Sequence, residues 1–104
     1  KRNDLQIEQI SFAGRPGGPP QFLLAPVLEY QYGRGELTLT SADPHAAPFV
    51  SNQFCEDDRD ARRLAECMLD TLAFTRTGAL SDMITGVRFP DPNRGQTIED
   101  LEVL

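Results

Sequence analysis

The stretch DDRDARRLAECMLDTLAFTRT, residues 57–77, predicts the main helix of this chain. Four acidic residues crowd its start, between positions 56 and 60, where the positive end of a helix dipole favours carboxylates. Gly78 follows it and suits the left-handed conformation in which many helices end. Apolar side chains recur at the three- and four-residue intervals of one helix face; they are Ala61, Leu64, Ala65, Met68, Leu72 and Ala73.

Three segments with extended character precede the helix. Residues 5–12 alternate apolar and polar side chains and then change phase, so we expect a strand with a bulge or a twist near Gln9. Residues 22–32 have apolar side chains at both odd and even positions, which is typical of a strand covered on both faces. Residues 36–40 alternate cleanly. Three such segments in succession predict an antiparallel meander.

The fold class that follows is α+β, an antiparallel sheet of three or more strands backed by one main helix. A chain of 104 residues fits one domain. Residues 49–54 read as a short extended piece, and the spacing from Thr97 to Asp100 resembles a capping box, so we expect a second helix to begin near residue 97.

Charge and hydropathy narrow the classes of partner. Ten basic and sixteen acidic residues give a net charge of -6, which phosphate backbones and anionic membranes repel. We therefore expect no nucleic acid and no membrane as partners. No apolar run reaches the ~18 residues of a membrane span and no export signal opens the chain, so we expect a cytoplasmic protein. The chain starts without Met and stops within the second expected helix, so we expect a piece of something larger.

No set of residues completes a catalytic, cofactor-binding or metal site. His45 lies in a turn beside prolines without a positioned nucleophile, so we expect an exposed loop histidine. Cys55 and Cys67 are expected to be two small buried side chains. The acids of residues 56–60 lack the glycine and distal glutamate of a calcium loop. The glycines of residues 33–35 lack the third glycine and following helix of a dinucleotide fingerprint.

The order of three segments is more specific: GRGELTLTSADP at 33–44, APFVSNQF at 47–54 and DRDARRL at 58–64. This arrangement resembles the C-terminal, substrate-binding domain of the glucose–methanol–choline (GMC) oxidoreductases. That family's pattern runs Pro-x-Ser-x-Gly, a strand, Ser-x-Asp-Pro, a Pro, Asn-Tyr-Leu, and a helix opened around an Asp. The chain departs from it in the Pro-x-Ser-x-Gly motif, at Gln31 and Gly33, and in the Asn-Tyr-Leu motif, at Gln53 and Phe54.

The resemblance implies a fragment of an FAD-dependent flavoprotein that oxidises CH–OH groups of alcohols, similar to choline dehydrogenases. Its sheet would close the alcohol cavity, and its partner would be the flavin-binding domain of the same polypeptide. The family's Gly-x-Gly-x-x-Gly fingerprint and its His-x-x-Gly-Thr catalytic segment do not occur in the chain. We therefore expect these 104 residues alone to bind no FAD and to be inactive, and uncovered apolar surface would allow them to self-associate.

The same resemblance suggests residues for the cavity wall. Val27 stands eight residues before Gly35, near the middle of its segment, and is the first candidate; Phe22 and Leu24 are the others. The alternative for each is a plain core residue. The rival function is a non-enzymatic, acidic α+β protein-interaction module that binds by addition of a strand to its sheet edge. A hydrolase using His45 would need a positioned nucleophile.

Overall fold

The computed structural model describes residues 3–12, 16–91 and 97–102. It is an α+β chain with two small antiparallel two-stranded sheets and one main helix. No helix in these residues has the length and apolar content needed to cross a bilayer. In chain order the elements are β1 (Leu5–Phe12), β2 (Gln21–Leu28), β3 (Glu36–Thr38), β4 (Phe49–Ser51), α1 (Asp58–Thr75), α2 (Gly78–Met83) and α3 (Ile98–Glu102).

Strands β1 and β2 form an antiparallel ribbon without interruption. Their register runs from Leu5 opposite Leu28 to Phe12 opposite Gln21, with every residue of β1 paired. Of the two forms expected near Gln9, a bulge or a twist, the bulge is therefore wrong. A bulge would have kept the apolar side chains on one face, but a two-stranded ribbon that is largely open to solvent has no single core face to enforce this.

The expected three-stranded meander is also wrong among the described residues. β3 pairs with β4, in a register that sets Leu37 opposite Val50, and it does not pair with β2. The second strand ends at Leu28 rather than near residue 32, because the backbone N–H groups of Tyr32 and Gly33 bond to a side chain of α1 instead of a neighbouring strand. The chain between β2 and β3 is thereby turned away from the first ribbon.

Helix α1 confirms the prediction for residues 57–77, with slightly shorter ends. Asp57 caps its start by accepting the backbone N–H of Arg59 at 2.9 Å, and Gly78 has the left-handed φ of 40° that its position suggested. The buried line of α1 differs from the apolar one, since it comprises Asp60, Ala65, Cys67 and Thr71. Only Ala65 belongs to both.

The short helix α3 packs on α1 through the buried side chain of Leu101. Thr97 caps it, because its hydroxyl oxygen accepts the backbone N–H of Asp100 at 3.2 Å. The second helix expected near residue 97 is thus present over 98–102, and its continuation lies outside the described residues.

The molecule is open for its size. The chain exposes 8368 Å², whereas a compact monomer of 11.6 kDa exposes about 5,800 Å². Its radius of gyration is 17.8 Å, against about 13 Å for a compact chain of this length. The fully buried hydrophobic residues among those described are Ala65, Cys67 and Leu101. About 2,500 Å² of surface that a compact domain would cover is therefore left open.

Candidate functional site

The best-defined polar site is a junction between the start of α1, the turn at residues 32–35 and the end of β4. At its centre is Asp60, whose side chain is only 2% exposed. The Tyr32 N–H donates to Asp60 Oδ1 at 2.9 Å and to Oδ2 at 3.0 Å, and the Gly33 N–H donates to Oδ2 at 2.7 Å. These bonds compensate the burial of the carboxylate, which otherwise carries a large desolvation penalty. We call this arrangement the Asp60 junction.

The turn is closely packed at both of its glycines, and most closely at Gly35. A Cβ at Gly33 would lie 3.2 Å from Asp60 Oδ2 and 3.4 Å from the backbone oxygen of Gln53. A Cβ at Gly35 would lie 2.5 Å from the backbone oxygen of Ser51, which is closer than real Cβ atoms approach. The turn and the end of β4 therefore lie too close together for any larger residue at position 35.

An ion pair covers the outer side of the junction. Arg59 binds both carboxylate oxygens of Asp57, with Nε 2.9 Å from Oδ1 and Nη2 2.6 Å from Oδ2. The bonds from this guanidinium lower the pKa of Asp57 to about 2. The Arg59 guanidinium also lies 4.1 Å from the centre of the Tyr32 ring, a cation–π contact. Side chains from α1 thus hold the turn on its exposed face as well as its buried one.

Beside the junction lies an open depression of about 350 Å³, lined by Tyr32, Gly33, Arg34, Gln53, Glu56 and Asp57. The charged and amide groups of this lining are the guanidinium of Arg34, the carboxylates of Glu56 and Asp57, and the side-chain amide of Gln53. None of these six residues is a serine, cysteine or histidine, so the depression has polar groups that can bind but lacks a nucleophile beside a base.

A second anchor ties the start of the ribbon to α1. Arg63 donates from Nε and Nη2 to the two carboxylate oxygens of Asp4, both at 2.8 Å, and from Nη1 to Glu66 Oε2, also at 2.8 Å. The bidentate bonds from Arg63 lower the pKa of Asp4 to about 2. They fix the end of the ribbon at which β1 begins, while the opposite end has no comparable tie to α1 among the described residues.

The histidine and cysteines do not come together as a reactive group. His45 is exposed, as predicted, and its backbone N–H donates to Asp43 Oδ1 at 3.0 Å. Cys67 is buried, and burial raises the pKa of its thiol. Cys55 is exposed and has a φ of 56°, so the prediction that both cysteines are buried is wrong for Cys55. Within the described ranges, no cluster of three or more His, Cys, Asp or Glu side chains suits a metal ion.

The three candidate wall residues lie on β2 but do not share a face. Successive side chains of a strand point to opposite faces, so Phe22 and Leu24 lie on one face of the ribbon and Val27 lies on the other. Phe22 is 38% exposed, whereas Leu24 and Val27 are half-buried. A single cavity can therefore be lined by Val27 or by Phe22 with Leu24, but not by all three.

Sequence reasoning missed the central role of Asp60, which it assigned to the helix dipole. The signal was its spacing from two other buried residues of α1: Asp60, Cys67 and Thr71 follow one helical line at intervals of seven and four residues. Thr71 is accommodated on that buried line because its hydroxyl donates to the Cys67 backbone oxygen at 2.7 Å.

No protein-family model matches the chain, and no curated protein or solved structure is significantly similar to it.

Proposed function

We propose that this chain is part of the substrate-binding domain of a GMC-type, FAD-dependent oxidoreductase that acts on the CH–OH groups of alcohols. In this proposal it forms wall and scaffold of the substrate cavity, and the reactive groups belong to other parts of the same polypeptide. The domain would exclude water from the alcohol, which strengthens electrostatic stabilisation of the developing alkoxide.

The Asp60 junction carries the proposal. Its members come from the three segments on which the resemblance rests: the glycine turn, the Ser-Asn end of the following strand, and the helix opened around an Asp. Gly33 and Asp60 are 27 residues apart, yet they bond at 2.7 Å, and Gly35 abuts Ser51. The separate motifs of the pattern contact one another in the structure, which gives a physical reason for them to occur together in one sequence. This supports the view that the resemblance reflects a shared fold rather than a chance similarity in amino-acid composition.

The open ribbon offers further support. A strand that forms the wall of a cavity between two domains must present apolar side chains to the neighbouring domain. β2 has apolar residues at both odd and even positions, and Phe22 and Leu23 are exposed at its end far from α1. The chain as a whole exposes about 2,500 Å² more than a compact monomer of its mass, so it has apolar surface that a neighbouring domain can cover.

The residues present do not fit a flavin site of their own. Gly33 and Gly35 lead into strand β3 rather than into a helix, and the N–H of Gly33 is already bonded to Asp60. A dinucleotide site needs free N–H groups at a helix N-terminus to bind the pyrophosphate. FAD would therefore be held by the flavin-binding domain, and no step of the chemistry is assigned to the described residues.

The reading frame that encodes the chain provides the first test. The proposal expects a Gly-x-Gly-x-x-Gly fingerprint after a first strand upstream, and His-x-x-Gly-Thr downstream of Leu104. A frame without either motif would contradict the proposal and favour the acidic interaction module.

The second test asks which face of β2 lines the cavity, and we assign that role to Val27. In the protein made from the whole frame, V27F narrows the cavity and is expected to lower kcat/KM for the alcohol by about tenfold or more, at unchanged flavin content. L24F adds similar bulk on the opposite face and serves as the matched control. Equal losses in the two variants would contradict the assignment of Val27.

A further inference from the structure

The outer edge of β1 is open to solvent along most of its length. Helix α1 packs on the β1–β2 ribbon mainly through β2, and apart from these two no helix or strand of the described residues packs on β1. Every residue from position 6 to 11 is exposed, including Ile7 at 39% and Ile10 at 45%. An edge strand of this kind leaves a row of backbone N–H and C=O groups without partners in the sheet.

The register of the ribbon determines which backbone groups of β1 face outward. The N–H of Glu29 donates to the backbone oxygen of Asp4 at 2.8 Å, so these two opposite residues form a hydrogen-bonded pair. Such pairs alternate with non-hydrogen-bonded pairs along an antiparallel ladder, so the even-numbered residues of β1 bond to β2. The backbone N–H and C=O groups of the odd-numbered residues, from position 5 to 11, consequently point away from β2.

The two outer edges of the ribbon differ in their ability to pair with a further strand. Pro26 lies opposite Ile7 and therefore occupies an outward position of β2, where it has no N–H to donate. A proline at such a position protects an edge from pairing. β1 contains no proline, and Glu8 is the only charged residue in either strand. The edge of β1 can therefore accept a further strand, and Glu8 is the charge that this strand meets.

The Glu8 carboxylate determines which kind of strand the edge accepts. It is exposed, and its bond from the Gln6 side chain, at 3.1 Å, leaves it charged. In a strand added antiparallel to β1, the residue opposite Glu8 belongs to a non-hydrogen-bonded pair, in which the side chains are closest. An opposite charge there stabilises the pair and a like charge destabilises it. A second copy paired about Glu8 would bring two carboxylates together and adds its own net charge of -6, so the charge of this edge favours a cationic partner.

We propose that the edge of β1 binds an extended segment of another protein, antiparallel to β1, with Lys or Arg opposite Glu8 and apolar side chains opposite Ile7 and Ile10. The backbone of this segment bonds to the outward groups of Ile7 and Gln9, and its cation pairs with Glu8. β1 becomes the central strand of three, and a third strand is what a two-stranded ribbon needs for independent stability. The proposal requires neither flavin nor alcohol, so it does not depend on the proposed oxidoreductase function.

The test is an NMR titration of the isotope-labelled chain with the peptide acetyl-Thr-Val-Thr-Lys-Val-Thr-Val-amide, which places its Lys opposite Glu8 when it pairs antiparallel with residues 5–11. The amide signals of Ile7 and Gln9 should shift most and exchange more slowly, because their N–H groups gain acceptors. Glu in place of Lys in the peptide should weaken binding by about fivefold or more. In E8K, which changes an exposed side chain, this preference should be reversed.

Two methylated peptides test the backbone pairing without any change to the chain. N-methylation of the Val opposite Ile7 removes an N–H that faces β1 and should weaken binding by about tenfold or more. N-methylation of the Lys removes an N–H that faces away from β1, so this peptide is the matched control and should bind like its parent. Equal affinities for the Lys and Glu peptides, an unchanged preference in E8K, or equal losses from the two methylations would each overturn the proposal. It would also be overturned if the Lys peptide binds neither the 104-residue chain nor the protein made from the whole reading frame, or only the former.

Discussion

Replacement of Asp60 by alanine is expected to destabilise the chain more than any other change in the first turn of α1. The carboxylate accepts N–H groups from Tyr32 and Gly33 at distances of 2.7 to 3.0 Å, and it is almost fully buried. D60A removes the carboxylate and leaves the N–H groups of Tyr32 and Gly33 without their acceptor. The turn at residues 32–35 then loses its attachment to the helix.

The magnitude follows from the number of bonds and from their exposure. A hydrogen bond to a charged group contributes about 1.5 to 3 kcal/mol. Tyr32 is exposed and Gly33 is half-buried, so water reaches the freed N–H groups and the lower value applies to each. D60A should therefore lower the free energy of unfolding by about 3 kcal/mol. D60N keeps one acceptor oxygen and should lose about half as much.

Urea unfolding followed by far-UV circular dichroism measures this difference, and the melting temperature of D60A should fall by more than about 10 °C. Asp58 is an exposed acid in the same turn of α1, so D58A is the matched control. It should stay within about 0.5 kcal/mol of the wild type. Amide exchange should rise at Tyr32 and Gly33 in D60A alone. Equal stabilities of D60A and D58A would refute the conclusion that the buried carboxylate of Asp60 holds the turn at residues 32–35 on α1.

Three further outcomes are expected. G35A forces a methyl group against the backbone oxygen of β4 and should destabilise the hairpin by about 1 to 3 kcal/mol, seen as faster amide exchange there, whereas G86A has open space and should be neutral. The lowered pKa of Asp4, about 2 against the usual 3.8, favours the ionised form in the fold, so its contribution to stability should be present above pH 3.8 and be lost as the pH falls toward 2; an NMR titration of its carboxyl carbon with an ordinary midpoint would contradict this. Cys55 should react with a thiol reagent in the native chain and Cys67 only after unfolding, because Cys67 is buried and has a raised pKa; equal native reactivity would contradict the placement.

Local patterns predicted the elements better than their partners. The intervals of residues 57–77 predict α1 because a helix makes its backbone bonds within one segment. The pairing partner of β3 could not be predicted in this way, because it depends on a contact between distant residues. The backbone N–H groups of Tyr32 and Gly33 donate to Asp60, which lies 28 and 27 residues further along the chain. The absence of a bulge in β1 depends likewise on how much of the ribbon is covered.

The candidate site shows the same division. Gly33, Gly35 and Asp60 are all visible in the sequence, but an acid near a helix start is explained equally well by the helix dipole. Only the structure distinguishes Asp60, which is buried and bonds to the turn, from Asp58, which is exposed. The alternation of side chains along β2 assigns Val27 and Leu24 to opposite faces from the sequence alone. Which end of the ribbon is exposed cannot be predicted in this way, because it depends on where α1 packs.

The most direct measurement is the visible absorbance of the protein produced from the whole reading frame, recorded without oxygen before and after addition of alcohols. A cavity wall of a GMC-type oxidoreductase predicts a bound flavin whose absorbance bleaches as the alcohol is oxidised. A colourless protein, or a flavin that no alcohol reduces, would contradict the proposed function.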